Sequence, residues 1–200
     1  QGQYEHDLTV FLEKARPNLE NWSKTNFLNN ESFQQFIAQW EAFPSFIFGL
    51  EILIWSIQAK GSSVLWENAF TRGETQIPIN GLVWMSSLTD MRAQALEKIA
   101  AGFRVVKLKI GALDWQQELL LLKELRANAA ADELTIRVDA NGAFTPEQAL
   151  EVLQELAKLE VHSIEQPIAA GQQTAMSKLC NKNIVPIALD EELIGVVSRS

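Results

Sequence analysis

Apolar residues recur at helical spacing through the first 60 positions and at strand spacing from about position 76, and this change of period divides the chain. His6-Asp7 opens a predicted helix through Leu8, Phe11, Leu12 and Ala15 that stops before Pro17. Ser32 starts a second pattern at Phe33, Phe36, Ile37 and Trp40. After Pro44 the run FIFGLEILIWSIQAK is apolar around most of its circumference and closes at Gly61, so it is expected to be covered on nearly all sides. Residues 61–75 are rich in turn formers and read as a connector.

From Gln76 onward short β-branched runs alternate with amphipathic helices. IPINGLVW precedes a helix from about Leu88 to Ala101, RVVKLKI a helix from about Trp115 to Ala130, and LTIRVD a helix opened by Thr145-Pro146-Glu147. HSIE precedes a short helix around Ala175 to Leu179, and IVPIALD comes last. Pro146 suits the first helical turn after Thr145 as N-cap, where its missing N–H is no loss. Strand–helix repeats of this kind give parallel strands with right-handed crossovers, in either a doubly wound sheet or a (β/α) barrel.

The charged residues separate the two. Lys107 and Lys109, Asp139, Glu165 and Asp190 stand at or near the C-terminal ends of successive strands, at intervals of 30, 26 and 25 residues from Lys109 onward. Charge at the same end of each strand describes a ring around one mouth of a barrel, where barrel enzymes place their chemistry. A doubly wound sheet would concentrate its site at a switch point and carry a glycine-rich phosphate loop, and the sequence has neither GxGxxG nor GxxxxGK[ST]. The expected division is residues 1–75 as a helical domain plus connector and residues 76–200 as the first part of a barrel, with about five of its strands.

Composition narrows the function classes. The 200 residues are 47% hydrophobic and 21% charged, enough for a sizeable core. A net charge of −8 argues against nucleic acid and anionic membrane surfaces as partners. The longest apolar run, Phe43 to Ile57, has 15 residues and contains Pro44 and Glu51, short of the roughly 20 a bilayer span requires. Residues 1–7 lack signal-peptide character, and a cytoplasmic location is the expectation. Cys180 has no disulfide partner and is expected to pack; the six tryptophans are read as core or interface. His162 lies three before Glu165 and is expected to face the outer helix layer, while His6 carries no assignment.

Lys107 and Lys109 share one face of a strand that helices should cover from outside, so both point into the barrel. Two ammonium groups held together are expected to lower one another's pKa, which is how a lysine becomes a general base near neutral pH. Asp139, Glu165 and Asp190 can each be read as a helix cap. Three carboxylates converging on a low-dielectric mouth would also repel one another, and a hard dication resolves that repulsion. All-oxygen ligands favour Mg²⁺, with Mn²⁺ as the substitute. A substrate carboxylate held there would be stabilised as its enolate forms while a lysine takes the adjacent proton. Arg137 should share the inward face of Asp139, Asn141 is in reach of substrate or a metal-bound water, and Glu191 is a partner for a lysine.

The segments GFRVVKLKIG, IRVDANGAF, HSIEQPI and IALDEEL resemble the enolase superfamily in its muconate-lactonising subgroup, and within it the group of o-succinylbenzoate synthases of menaquinone biosynthesis. IPINGLVWM and FPSFIFGLE resemble the same group, so the likeness runs from about Phe43 to Gly195. The resemblance implies the helical part of an α+β capping domain followed by a (β/α)7β barrel, with Mg²⁺ held by Asp139, Glu165 and Asp190. It implies that Lys109 removes an α-proton and then protonates the departing hydroxyl, with Lys107 tuning it. The implied small-molecule carboxylate is 2-succinyl-6-hydroxy-2,4-cyclohexadiene-1-carboxylate, dehydrated to o-succinylbenzoate.

The family also carries a lysine on the strand after the one bearing Asp190, an antiparallel sheet and a specificity loop. No lysine follows Lys182, and neither other element is found, so a fragment of a longer protein is expected. Two rival readings stand beside the lyase. One is a racemase or epimerase of dipeptides or N-acylamino acids on the same scaffold; the other is a chain inactive as it stands.

Overall fold

A computed structural model describes residues 2–194, which fall into two compact units divided between Ile77 and Pro78. The first is helical: α1 (Gly2–Ala15), α2 (Leu19–Ser23), α3 (Glu31–Ala38) and α4 (Pro44–Gln58). Two boundaries lie earlier than the sequence pattern suggests. Helix α1 already runs from Gly2, and the cap of α3 is Asn30, whose side chain accepts from the N–H groups of Ser32 and Phe33. Pro44 occupies the first turn of α4.

The core of this unit is aromatic. Phe11, Trp22, Phe27 and Phe33 are almost wholly buried, and the Phe11 and Trp40 rings meet edge-to-face at 5.0 Å and 85°. Helix α4 departs from the expectation of all-round cover. Phe46, Ile47, Leu50 and Ile54 are buried, whereas Phe48 is 65% exposed and Ile52, Leu53 and Ile57 are also exposed. Within this unit only the stripe that repeats every three to four residues meets the aromatic core.

The second unit is a five-stranded parallel sheet in the order β1 (Gly81–Val83), β2 (Val105–Lys109), β3 (Thr135–Asp139), β4 (Ser163–Glu165), β5 (Ile187–Ala188). Helices α5 (Leu88–Ala100), α6 (Trp115–Asn128), α7 (Pro146–Lys158) and α8 (Gln173–Asn181) form the crossovers. Each strand pairs with its sequence neighbour and the order never reverses, so there is no switch point; this is an unclosed arc of a barrel. Ser87, Asp114 and Thr145 cap α5, α6 and α7, and Thr145 forms a reciprocal capping box with Gln148 ahead of Pro146.

Strand alternation sorts the side chains. Val106, Leu108, Ile136, Val138 and Ile164, each at most 1% exposed, join the helix-side core with residues such as Leu122, Leu125 and Leu153. The intervening positions, Lys107, Lys109, Arg137, Asp139, Ser163 and Glu165, occupy the other face. Parallel register sets Lys109 beside Asp139 and Asp139 beside Glu165. Two minor expectations are corrected. His162 is exposed in the turn before β4, with Nδ1 3.0 Å from Ser163 Oγ, because the strand begins one residue after it. Cys180 is exposed near the end of α8 rather than packed.

Candidate active site

The rim at the C-terminal ends of β2, β3 and β4 carries a continuous polar chain. Lys107 Nζ donates to Glu165 Oε2 at 2.7 Å and lies 3.0 Å from Asp139 Oδ2. Lys109 Nζ donates to the same Asp139 oxygen at 2.7 Å and to Asn141 Oδ1 at 2.7 Å. The Asn141 backbone N–H donates to Asp139 Oδ1 at 3.1 Å, and Asn141 Nδ2 donates to Glu191 Oε1 at 2.9 Å. One path of hydrogen bonds thus runs from Glu165 through Lys107, Asp139, Lys109 and Asn141 to Glu191.

Local backbone geometry makes this path possible. Asn141 has φ 44° and Gly142 φ 75°, both left-handed, which turns the chain sharply after β3. A Cβ at Gly142 would stand 2.9 Å from the Ala169 backbone, so the β3–α7 and β4–α8 loops meet there only because the residue is glycine. Gly111, at φ 85°, plays the same part after β2: a Cβ there would lie 2.5 Å from the Ala143 side chain.

The electrostatics follow from this pairing. Asp139 is 1% exposed, and burial pushes its carboxyl up. The Lys109 and Lys107 ammonium groups and the Asn141 N–H outweigh that and hold it below the ordinary aspartate value. Burial likewise works against the Lys107 charge, but hydrogen bonds to Glu165 and Asp139 overcome it and leave its pKa raised. For Lys107 this corrects the expectation of a lowered pKa: the two carboxylates around it outweigh the cost of its burial.

The remaining sequence candidates are less tightly placed. Arg137 shares the face of Lys107 and Asp139, and its Nε is buried without a hydrogen-bond partner, as is Glu191 Oε2. Asp190 is exposed; its side chain caps nothing, and its backbone N–H donates to Gln166 Oε1 at 3.1 Å. Among the described residues no group of three or more His, Cys, Asp or Glu side chains converges as a metal site. Asp139 and Glu165 do converge on one cation, the Lys107 ammonium, and their hard oxygen donors suit a dication such as Mg²⁺ in its place. Among the described residues these two fit that role as they stand.

Two site residues escape the sequence pattern. Glu118, 2% exposed, accepts from the N–H groups of Gly111 at 2.7 Å and Leu113 at 3.1 Å and so fastens the loop that follows Lys109. Its place in a leucine-rich helix looks like an ordinary solvated position, and only its spacing from Gly111 hints otherwise. Gln166 is fully buried and ties three loops together; it lies within the HSIEQPI segment, where the glutamate draws the attention.

Residues 90–199 match the family described as enolase C-terminal domain-like. The chain belongs to that family. It is 44% identical over 154 residues to an o-succinylbenzoate synthase of Desulfotalea psychrophila, covering 77% of this chain and 42% of that protein. Its fold matches the crystal structure of MenC from the same organism with a TM-score of 0.72 at 33% identity, over 98% of this chain and 59% of that one. A dipeptide epimerase from Cytophaga hutchinsonii, crystallised with Mg and the dipeptide D-Ala-L-Val, matches with a TM-score of 0.52 at 28% identity, over 57% of this chain and 31% of that one. The chain therefore spans about half the length of the two Desulfotalea psychrophila relatives and about a third of the epimerase. Among the described residues no helix is long and apolar enough to cross a membrane.

Proposed function

We propose that the protein carrying this chain is a Mg²⁺-dependent carbon–oxygen lyase that converts 2-succinyl-6-hydroxy-2,4-cyclohexadiene-1-carboxylate to o-succinylbenzoate. The observation that carries the reading is the placement of Lys109 Nζ on the rim, hydrogen-bonded to Asp139 and Asn141 and one carboxylate away from Lys107. The 44% identity to a named o-succinylbenzoate synthase supports this reaction ahead of racemisation, for which the dipeptide epimerase at 28% is the more distant relative.

In this reading Asp139 and Glu165, with Asp190 from the neighbouring turn, would hold Mg²⁺, which would supply fixed positive charge against the substrate carboxylate. The rest falls to the side chains of this chain. Lys109, in its amine form, takes the proton from the carbon next to the carboxylate. Electrons of that C–H bond move into the carboxylate and return to form the ring double bond as the C–O bond breaks. The new ammonium of Lys109 gives its proton to the departing hydroxyl, which leaves as water. A single residue on one face serves both transfers, and the aromatic product makes the second step favourable. Asn141 orients Lys109, with Glu191 holding Asn141 from behind. Lys107, whose ammonium spans the Asp139 and Glu165 carboxylates in this structure, would stand beside them as a further positive charge when the ion takes that place.

The decisive experiment is Lys109→Ala in the intact protein. Turnover of the cyclohexadiene substrate should fall by at least about 10³-fold, the upper part of the range for a positioned acid–base group, while Mg²⁺ still binds. Retained turnover rejects Lys109 as the base. Exchange of α-protons of dipeptides in D₂O by the wild-type protein, without dehydration of the cyclohexadiene, would favour the epimerase reading instead.

A further inference from the structure

Gln166 follows Glu165 at the end of β4 with a left-handed backbone, φ 41°, and 0% exposure. Its main chain joins the neighbouring segments on both sides: the N–H donates to the Ala188 carbonyl at 2.9 Å, and the carbonyl accepts from the Gly142 N–H at 2.7 Å. The side chain is equally committed. Nε2 donates to the Ile168 carbonyl at 2.9 Å, which fixes the way the carboxamide faces. Oε1 then points at the turn after β5 and accepts from the N–H groups of Asp190 at 3.1 Å and Glu192 at 3.2 Å.

The two N–H groups that Oε1 holds flank Glu191. Strand β5 is only two residues long, so its ladder gives the following turn little support. Besides Gln166, that turn is tied by an exposed contact from the Gly171 N–H to Glu192 Oε2 at 3.2 Å and by Asn141 Nδ2 on Glu191. The two bonds to Gln166 are part-buried and end on a fully buried carboxamide whose other end is fixed by a buried bond to Ile168. The ties from Gly171 and Asn141 are exposed; the bonds shielded from water are the stronger and set the geometry. The position needs a donor on one side and an acceptor on the other, which a carboxamide supplies and an apolar side chain of the same length does not.

We propose that Gln166 is a positioning residue whose buried carboxamide sets the turn after β5, and with it the placement of the Asp190 and Glu191 carboxylates against the lysine rim. The consequence for Mg²⁺ rests on the reading of Asp190 as a ligand; the consequence for the turn does not. Gln166 touches no reacting atom in this scheme. It acts through the backbone of Asp190 and Glu192.

The test is amide hydrogen exchange by NMR on the intact wild-type protein, Gln166→Met and Gln166→Glu, each with a Mg²⁺ titration. In Gln166→Met the Asp190 and Glu192 amides should exchange at least about tenfold faster, as expected when a buried acceptor is lost, while Val106, Leu108 and Ile136 keep their protection. Mg²⁺ affinity should weaken by a similar factor. Gln166→Glu keeps an oxygen for both N–H groups, so their exchange should stay close to that of the wild type. Unchanged exchange at Asp190 and Glu192 in a folded Gln166→Met overturns the proposal. If Gln166→Met loses protection throughout the sheet, Gln166→Glu decides: slow exchange at the two amides supports the proposal and fast exchange overturns it. Should Mg²⁺ shift no wild-type resonance of the rim, the metal reading fails by itself while the exchange comparison still judges Gln166.

Discussion

The β2–β3 half of the rim and the β5 end present the same residue types in two physical states. On the first, Asp139 is buried, paired in register with Lys109 and shared between two ammonium groups. On the second, Asp190 is exposed and its carboxylate caps nothing, while its backbone is held by a neighbouring side chain. Strand length makes the difference. Five-residue strands carry their ladder to the rim and fix side chains by register, whereas two-residue β5 stops short and hands placement to loop hydrogen bonds. Charges set by register are electrostatic parts of the fold as well as candidate ligands, whereas an exposed charge on a loop can serve a ligand while carrying little of the fold.

Removing Asp139 should break the first half outright. Asp139→Ala leaves Lys107 with Glu165 alone and Lys109 with Asn141 alone, partly buried. The expected loss is about 2–3 kcal/mol at pH 7, below the usual range for a broken buried pair because both lysines keep some water contact. The pH dependence has a definite sign. The Asp139 carboxyl titrates below its ordinary 3.8, so its stabilisation is present above that value and disappears as pH falls through the lowered one. Lys107, with its pKa raised, contributes fully below its ordinary 10.5 and loses that contribution as pH rises through the raised value. Urea unfolding of the wild type and Asp139→Ala from pH 7 downward should show the gap between the two begin to narrow below the ordinary 3.8; a constant gap would mean that the pair is not what stabilises this half.

Much of this half is legible in the sequence. The alternation of VVKLK and TIRVD puts lysines and carboxylate on one face, and the sequential strand order follows from strand–helix repeats without a switch-point loop. Thr145-Pro146 announces its own helix. Three things were not legible, each for a physical reason. The rise in the Lys107 pKa depends on which carboxylates stand nearest, and strand spacing does not supply that distance. Glu118 acts on backbone groups of the loop after β2, whose path is set by left-handed Gly111, and Gln166, itself left-handed, acts on the turn after β5. The one-sided exposure of α4 depends on what packs against it, which an apolar count cannot convey.

Glu118 sharpens the comparison because it is a buried carboxylate on the β2 side held by backbone N–H groups rather than by a lysine. Burial raises its pKa, with the Asp114 charge adding to it and the N–H groups of Gly111, Leu113 and Ala112 pulling against it. The sign is therefore opposite to that of Asp139. Its contribution is fully present below the ordinary 4.5 and is lost as pH rises through the elevated value. Glu118→Gln keeps one acceptor and removes the ionisation. Its stability should stay within about 1–2 kcal/mol of the wild type, the order of one lost hydrogen bond, and should improve relative to the wild type as pH rises above 4.5. Thermal unfolding across pH 4–7 measures this, and a trend in the other direction would place Glu118 with Asp139 rather than against it.

The smallest stability effect belongs to the β5 end. In Asp190→Ala the backbone N–H that Gln166 accepts is untouched, and the lost carboxylate is an exposed one. Unfolding free energy without Mg²⁺ should change by no more than about 0.5 kcal/mol, as for surface substitutions in general. The same variant should bind Mg²⁺ at least about tenfold more weakly, since each carboxylate contributes charge and a ligand to a hard dication. Calorimetric titration beside urea unfolding separates the two. A stability loss as large as that of Asp139→Ala would make Asp190 part of the fold and erase the distinction between the halves. Weakened Mg²⁺ binding at unchanged stability is what a loop-held carboxylate kept for a ligand must show.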